Sequence, residues 1–273
     1  MLSEVADGVF VHTSAWCQTN AVVVVGESGV LVVDPGIHES EILCLADDLQ
    51  RARYTVAAGF ATHPHWDHLL WHPALGAPGR GATDHWATAL AADTARQRLA
   101  NGIDARLFGI PEDVRLEALG DDITGLPVGA DRISWDGPTV RILEHRAHAP
   151  GHAALLIDSA GVLVAGDMLS DAFIPMLDLA GAADPLGDYL AALLLLESQA
   201  GEATVVIPGH GSVGDAAVLR DRLAQDRAYV ETLRDGREPL DARVESPREG
   251  WEFVRSVHER QLDQFSIERA AGA

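Results

Sequence analysis

Ala61-Thr-His-Pro-His-Trp-Asp-His-Leu-Leu70 sets four side chains able to bind a metal, His63, His65, Asp67 and His68, within six positions. The segment begins where a hydrophobic run, Tyr54-Thr-Val-Ala-Ala-Gly-Phe-Ala-Thr62, stops. That run predicts a buried strand, which places the cluster in a strand-to-helix loop at the end of a sheet, where open α/β sheets usually do their chemistry. Alternate residues of an extended chain point the same way, so His63 and His65 can reach one ion from one side. Asp67 and His68 follow the turn and can face a second ion. Imidazole and carboxylate together suit zinc, with manganese, iron or cobalt as alternatives. An incidental histidine-rich surface loop is the competing reading.

The chain has 273 residues, 47% of them apolar, enough for a substantial core in one domain. Its 20 Lys and Arg face 41 Asp and Glu, a formal charge of −21, and no basic run is present. Such a surface repels polyanions, so neither a nucleic acid nor an anionic membrane is expected as partner. The two cysteines, Cys17 and Cys44, form no CxxC pair and are expected as free thiols rather than as a disulfide or metal ligands. No leader-like N-terminus and no run of 18 apolar residues is found, so a cytoplasmic protein, monomer or homodimer, is expected.

Outward from the cluster, Gly8–Thr13, Asn20–Val25 and Gly29–Asp34 read as an antiparallel meander, followed by a helix from Glu39 to about Arg51. Beyond it, Thr83 to Leu99 predicts a helix with Thr83 as N-cap, and residues 101–129 an excursion over the pocket. Strands are predicted at Arg132–Trp135, Thr139–Leu143, Ala153–Ile157, Val162–Gly166 and Thr204–Ile207, with a helix from Leu186 to about Glu197 before the last. Helices are also expected from about Val213 to Asp235 and from about Pro247 to Glu268. Two β-then-α halves imply an αββα sandwich of two mixed β-sheets flanked by helices. Its core would span about residues 8–215, with a helical extension over about 216–270.

A zinc site needs at least three protein ligands, so more must come from elsewhere. Candidates sit at later strand ends: Glu144-His-Arg-Ala-His-Ala-Pro-Gly-His-Ala153, Val164-Ala-Gly-Asp-Met168 and Val206-Ile-Pro-Gly-His-Gly211. With these on view, the chain resembles the metallo-β-lactamase-fold hydrolases. His63, His65, Asp67 and His68 match the HxHxDH signature, and Pro150-Gly-His152, Gly166-Asp167 and Pro208-Gly-His210 match later motifs. Asp34, at the end of Leu31-Val-Val-Asp34, matches the acidic residue before the first helix.

The resemblance covers roughly residues 8–215. It implies a first metal held by His63, His65 and His152, a second held by Asp67, His68 and His210, and Asp167 bridging the pair. Asp34 would orient ligands rather than bind. His145 and His148 are expected at the surface or behind the ligands. His12, His38, His72, His85 and His258 are expected to be structural or exposed, with His72 near the mouth. Two ions about 3.5 to 4 Å apart would hold a hydroxide as nucleophile. Asp167 would bridge and Asp67 would carry the proton to the leaving group. An acidic bridge resembles the glyoxalase II, thioesterase and lactonase branches, so hydrolysis of an ester, thioester or lactone in a small molecule leads. A β-lactamase-type amide hydrolase, a mononuclear iron oxygenase of the persulfide dioxygenase type and a binding protein without turnover are the alternatives. Trp66, Trp71, Phe173 and Met176 are expected to give the pocket an apolar rim.

Overall fold

The computed structural model describes residues 2–76, 84–102, 123–248 and 251–272. Seven strands form the first sheet in chain order: β1 (Ser3–Ala6), β2 (Val9–Thr13), β3 (Asn20–Val25), β4 (Val30–Val33), β5 (Val56–Phe60), β6 (Asp84–Ala87) and β7 (Thr124–Gly125). Short connections, the longest of them residues 14–19, keep β1 to β4 antiparallel. Helix α1 (Glu39–Arg51) supplies the long crossover that a parallel neighbour needs, and β4 to β7 run parallel. The second sheet contains β8 (Val140–His145), β9 (His152–Ile157), β10 (Val162–Gly166), β11 (Val205–Pro208) and β12 (Gly214–Asp215), in the order β12-β11-β10-β9-β8. Only β10 and β11 are parallel, joined through α4 (Pro185–Ala200).

Side-chain alternation decides the layers. Val22, Val24, Leu31 and Val33 point between the sheets, where they meet Leu155, Ile157 and Val162. Their neighbours Ala21, Val23, Val30 and Val32 point the other way, onto Ile42, Leu45 and Leu49 of α1. On the far side, Leu156, Leu163 and Val206 of the second sheet pack under α4, α5 (Ala216–Arg234) and α7 (Phe253–Gly272). The result is the expected αββα sandwich of two mixed sheets. No helix among the described residues is long and apolar enough to cross a membrane.

Two local expectations need correction. Residues 84–87 are strand, not helix: β6 pairs with β5, and α3 (Ala89–Ala100) starts only after Thr88, whose hydroxyl accepts from Ala91 N–H. Aromatic Trp86 packs against the inter-sheet core, and the alanine run that favours helix begins behind it. Thr83 and most of the 101–129 excursion lie outside the described residues, although Thr124–Gly125 adds β7 to the sheet edge. Arg132–Trp135 makes a single bridge to Arg141 rather than a strand, because Trp135 turns away to donate from Nε1 to the carbonyl of Pro138.

Trp71 was expected at the pocket rim and instead lies on the helix side of the first sheet. It stacks on His85 at 4.6 Å and donates from Nε1 to the carbonyl of Gly76. Gly59 makes this possible: a Cβ at that position would run into the Trp71 ring. Gly59→Ala is therefore expected to destabilise the fold by about 1–3 kcal/mol, the usual range for an overpacked core. A lower urea midpoint at unchanged slope would show it, and an unshifted midpoint would contradict the packing described.

Candidate metal centre

Strand β5 ends at Phe60, and the chain bends over residues 62–65, with His65 itself extended, before the single helical turn of α2 (Trp66–Leu69). This break in conformation turns His63 and His65 to one side and Asp67 and His68 to another. Asp34 locks the loop from beneath. Buried at the end of β4 with φ of 49°, it accepts from Thr62 N–H at 2.9 Å, from the Thr62 hydroxyl at 2.7 Å and from His68 Nδ1 at 2.9 Å.

The first sheet supplies these residues, and the second sheet brings three more to the same seam. His148 lies in the loop between β8 and β9, Asp167 follows β10, and His210 follows β11. Two groups of ligand atoms result, each within 4.8 Å of one another: His63, His65, His148 and Asp167, then Asp67, His68 and His210. Asp167 reaches both. Its Oδ2 is 3.5 Å from His148 Nε2 and 3.7 Å from His63 Nε2, while Oδ1 is 3.2 Å from His68 Nε2 and 3.6 Å from His210 Nε2. Gly209 permits the approach, since a Cβ there would collide with Asp167 Oδ1.

Protein acceptors fix most of the rings from behind. His63 Nδ1 lies 3.0 Å from the Thr62 hydroxyl, His148 Nδ1 is 2.8 Å from the carbonyl of Met176, and His210 Nδ1 is 3.0 Å from the carbonyl of Cys17. With His68 Nδ1 on Asp34, each of these four imidazoles turns Nε2 inward. His65 faces inward through Nδ1, 2.9 Å from His148 Nε2.

His152 does not join, contrary to the assignment the motif suggested. Its Nε2 accepts the backbone N–H of Asp167 at 3.1 Å, and its Nδ1 is 3.1 Å from His145 Nε2. Both nitrogens are engaged because His152 is the first residue of β9, paired across the hairpin with His145. His148, in the loop those two residues close, takes the inward place. The hairpin pairing was the available signal: once His145 and His152 face each other, only the histidine between them is free to project.

The electrostatics call for cations. Burial works against ionising Asp167, yet the His210 and His68 imidazoles pull it well below the ordinary carboxylate range. Burial likewise opposes Asp67, and His68 and His210 overcome it. The same two histidines are pushed up in turn: burial opposes their charge, but Asp167 and Asp67 outweigh it, helped by Asp34 at His68. Burial holds His63, His65 and His148 below the usual imidazole range, in the neutral form that binds metal. Protons on His68 and His210 thus stand where positive charge is needed. His63 Nε2 and Asp167 Oδ1 are fully buried without a well-formed hydrogen bond. Buried acceptors left without a hydrogen bond, His63 Nε2 in the first group and Asp167 Oδ1 facing the second, with N and O donors around each, fit divalent ions.

Around this centre, Phe173 lies 4.8 Å from the His210 ring and 5.0 Å from Trp251, and Trp66 meets Trp16 edge-on at 5.6 Å. Met176 is half-buried and contributes its carbonyl to His148. His72 bonds Glu39 on the surface. The loop after Asp167 is braced by a residue the sequence reading passed over. Arg243, on the short helix α6 (Ala242–Glu245), donates from Nη1 to the carbonyls of Ser170 and Phe173 and to Asp226 at 2.8–3.0 Å. Asp226 also accepts the Leu169 N–H and the Tyr189 hydroxyl, and Asp241 holds the other side of the guanidinium.

Known structures share this architecture. A metallo-beta-lactamase family protein from Thermus thermophilus superposes with a TM-score of 0.68 at 21% identity, covering 98% of this chain and 95% of its own. A beta-lactamase domain protein from Burkholderia ambifaria gives 0.66 at 24% identity, over 86% of this chain and 76% of its own. A stereoselective inverting sec-alkylsulfatase from a Pseudomonas species gives 0.67 at 17%, over 86% of this chain and 42% of its own. No curated protein matches the chain in sequence. The family model of the metallo-beta-lactamase superfamily matches residues 14–210, a span that holds every ligand candidate, and the chain belongs to that superfamily.

Proposed function

We propose that the chain is a hydrolase that works with two divalent ions, zinc first and manganese, iron or cobalt as alternatives, on the ester, thioester or lactone bond of a small, partly apolar substrate. The observation that carries the reading is Asp167, whose two oxygens face two separate histidine groups. Ions held there would lower the pKa of water to about 7 and polarise a carbonyl oxygen.

The residues divide the remaining work. His63, His65 and His148 offer three neutral nitrogens on one side; Asp67, His68 and His210 offer two nitrogens and a carboxylate on the other. Asp67, whose Oδ2 lies 3.2 Å from His210 Nε2, is the acid at the centre with the most exposed side chain, and is suited to pass a proton to the leaving group. Phe173, backed by Trp251, sets aromatic surface against His210 of the second group, which favours an acyl or aromatic substituent and excludes water beside it. The complete second group weighs against a mononuclear iron oxygenase, for which one three-ligand set suffices. An acidic bridge favours ester and thioester cleavage over β-lactam cleavage, and an ester, thioester, lactone and lactam panel separates them.

Asp167→Asn is expected to lower metal content from about two ions per chain towards one and to reduce turnover on the order of 100-fold or more, the scale of losing a preorganised charge contact. Full metal and full turnover in that variant would remove the bridge. His148→Ala is expected to lose about one ion, whereas His152→Ala should keep both and weaken them by about 10- to 100-fold at most, as for a supporting partner. The reverse result would restore His152 as ligand. Phe173→Leu is expected to raise KM for an aromatic acyl ester by about tenfold relative to an acetyl ester, the scale of one lost apolar pocket contact. Equal effects on both esters would take Phe173 out of the pocket.

A further inference from the structure

A third group of ligand-type side chains lies away from the seam. One nitrogen of His12, the sulfur of Cys44 and one oxygen of Asp48 lie within 4.8 Å of one another. Val11 of β2 points between the sheets, so alternation turns His12 to the outer face, onto α1. Cys44 and Asp48 are four residues apart on α1 and share the helix face that meets it. The group is therefore on the opposite side of the first sheet from the inter-sheet core.

His12 itself points to a ligand. It is 7% exposed, yet its ring makes no hydrogen bond with any described residue. One of its ring nitrogens stands within 4.8 Å of a thiol sulfur and a carboxylate oxygen, donors that share a cation with imidazole. Burial, with the nearby N-terminal charge, keeps the imidazole below its ordinary range and so in the neutral, metal-binding form. Asp48 is already oriented: it accepts the Leu2 N–H at 3.1 Å and a 3.3 Å bond from Arg51. Arg51 is largely exposed, so that ion pair is weak and easily yielded.

We propose that His12, Cys44 and Asp48 form a further metal site of zinc type, which cross-links β2 to α1 independently of the metal centre. One nitrogen, one sulfur and one oxygen are the donors that zinc accepts, with a fourth tetrahedral position left to water. Binding converts the Cys44 thiol to thiolate and releases its proton to solvent.

Sulfur makes the site separately visible, because the metal centre is built from nitrogen and oxygen donors alone. Full-length protein titrated with cobalt(II) is expected to develop a near-ultraviolet thiolate-to-cobalt band that saturates at about one sulfur-bound ion per chain. Cys44→Ser and His12→Gln should abolish the band and lower bound zinc by about one ion, with ester turnover unchanged. Asp167→Asn should leave the band in place. Absence of the band in the native protein overturns the site. So does a band seen only at large cobalt excess, or one that survives Cys44→Ser and disappears in Cys17→Ser, since Cys17 is the thiol beside Asp67 and Asp167.

Discussion

A carboxylate held between two sets of imidazoles, with each oxygen facing one of them, is the constraint on which this molecule turns. Asp167 has almost no access to water, and its charge must be matched by protons on His68 and His210 or by cations in their place. The sandwich serves that need. The first sheet brings His63 to His68 at the end of β5, and the second brings His148, Asp167 and His210 at the ends of three of its own segments. Neither sheet holds either ligand group alone, so the packing of one on the other is also the assembly of the centre.

Rigidity comes from what stands behind the ligands. Thr62, Asp34 and the carbonyls of Met176 and Cys17 each hold one ring nitrogen and thereby aim the other. The Cys17 carbonyl is held at a conformational expense, for Cys17 and Gln18 have φ of 48° and 44°, a region that non-glycine residues seldom occupy. Neighbouring contacts hold the strained turn. Thr19 bridges to His210, and the Asn20 amide donates to the carbonyls of Pro208 and Gly211. Strain of this kind gathers where a protein must fix geometry against its own preferences.

Much of this was legible in the sequence, because it rests on local periodicity and close spacing. The alternation of Val22 to Val24 and of Val30 to Val33, the helix at Glu39–Arg51 and the HxHxDH run each report their structure within a few residues. What escaped depends on contacts between distant segments. Choosing between His148 and His152 requires the register of the β8–β9 hairpin, and the motif alone points to His152, which the structure turns away from the two groups. Trp71 leaves the rim because Gly59, twelve residues earlier, opens a slot for its ring. The role of Arg243 is invisible in a run whose charges read as a solvated face, since its partners Asp226, Ser170 and Phe173 come from two other regions.

Arg243 lies beyond residue 210, where the superfamily match ends, yet it clasps the loop that leaves Asp167. The tail is thus a splint for a centre to which it gives no ligand. A chain cut short before residue 241 would keep all seven inward-facing residues and still leave Asp226 buried without its countercharge. Grafting only the matched span onto another protein would carry the recipe for the centre without the frame that keeps it stiff.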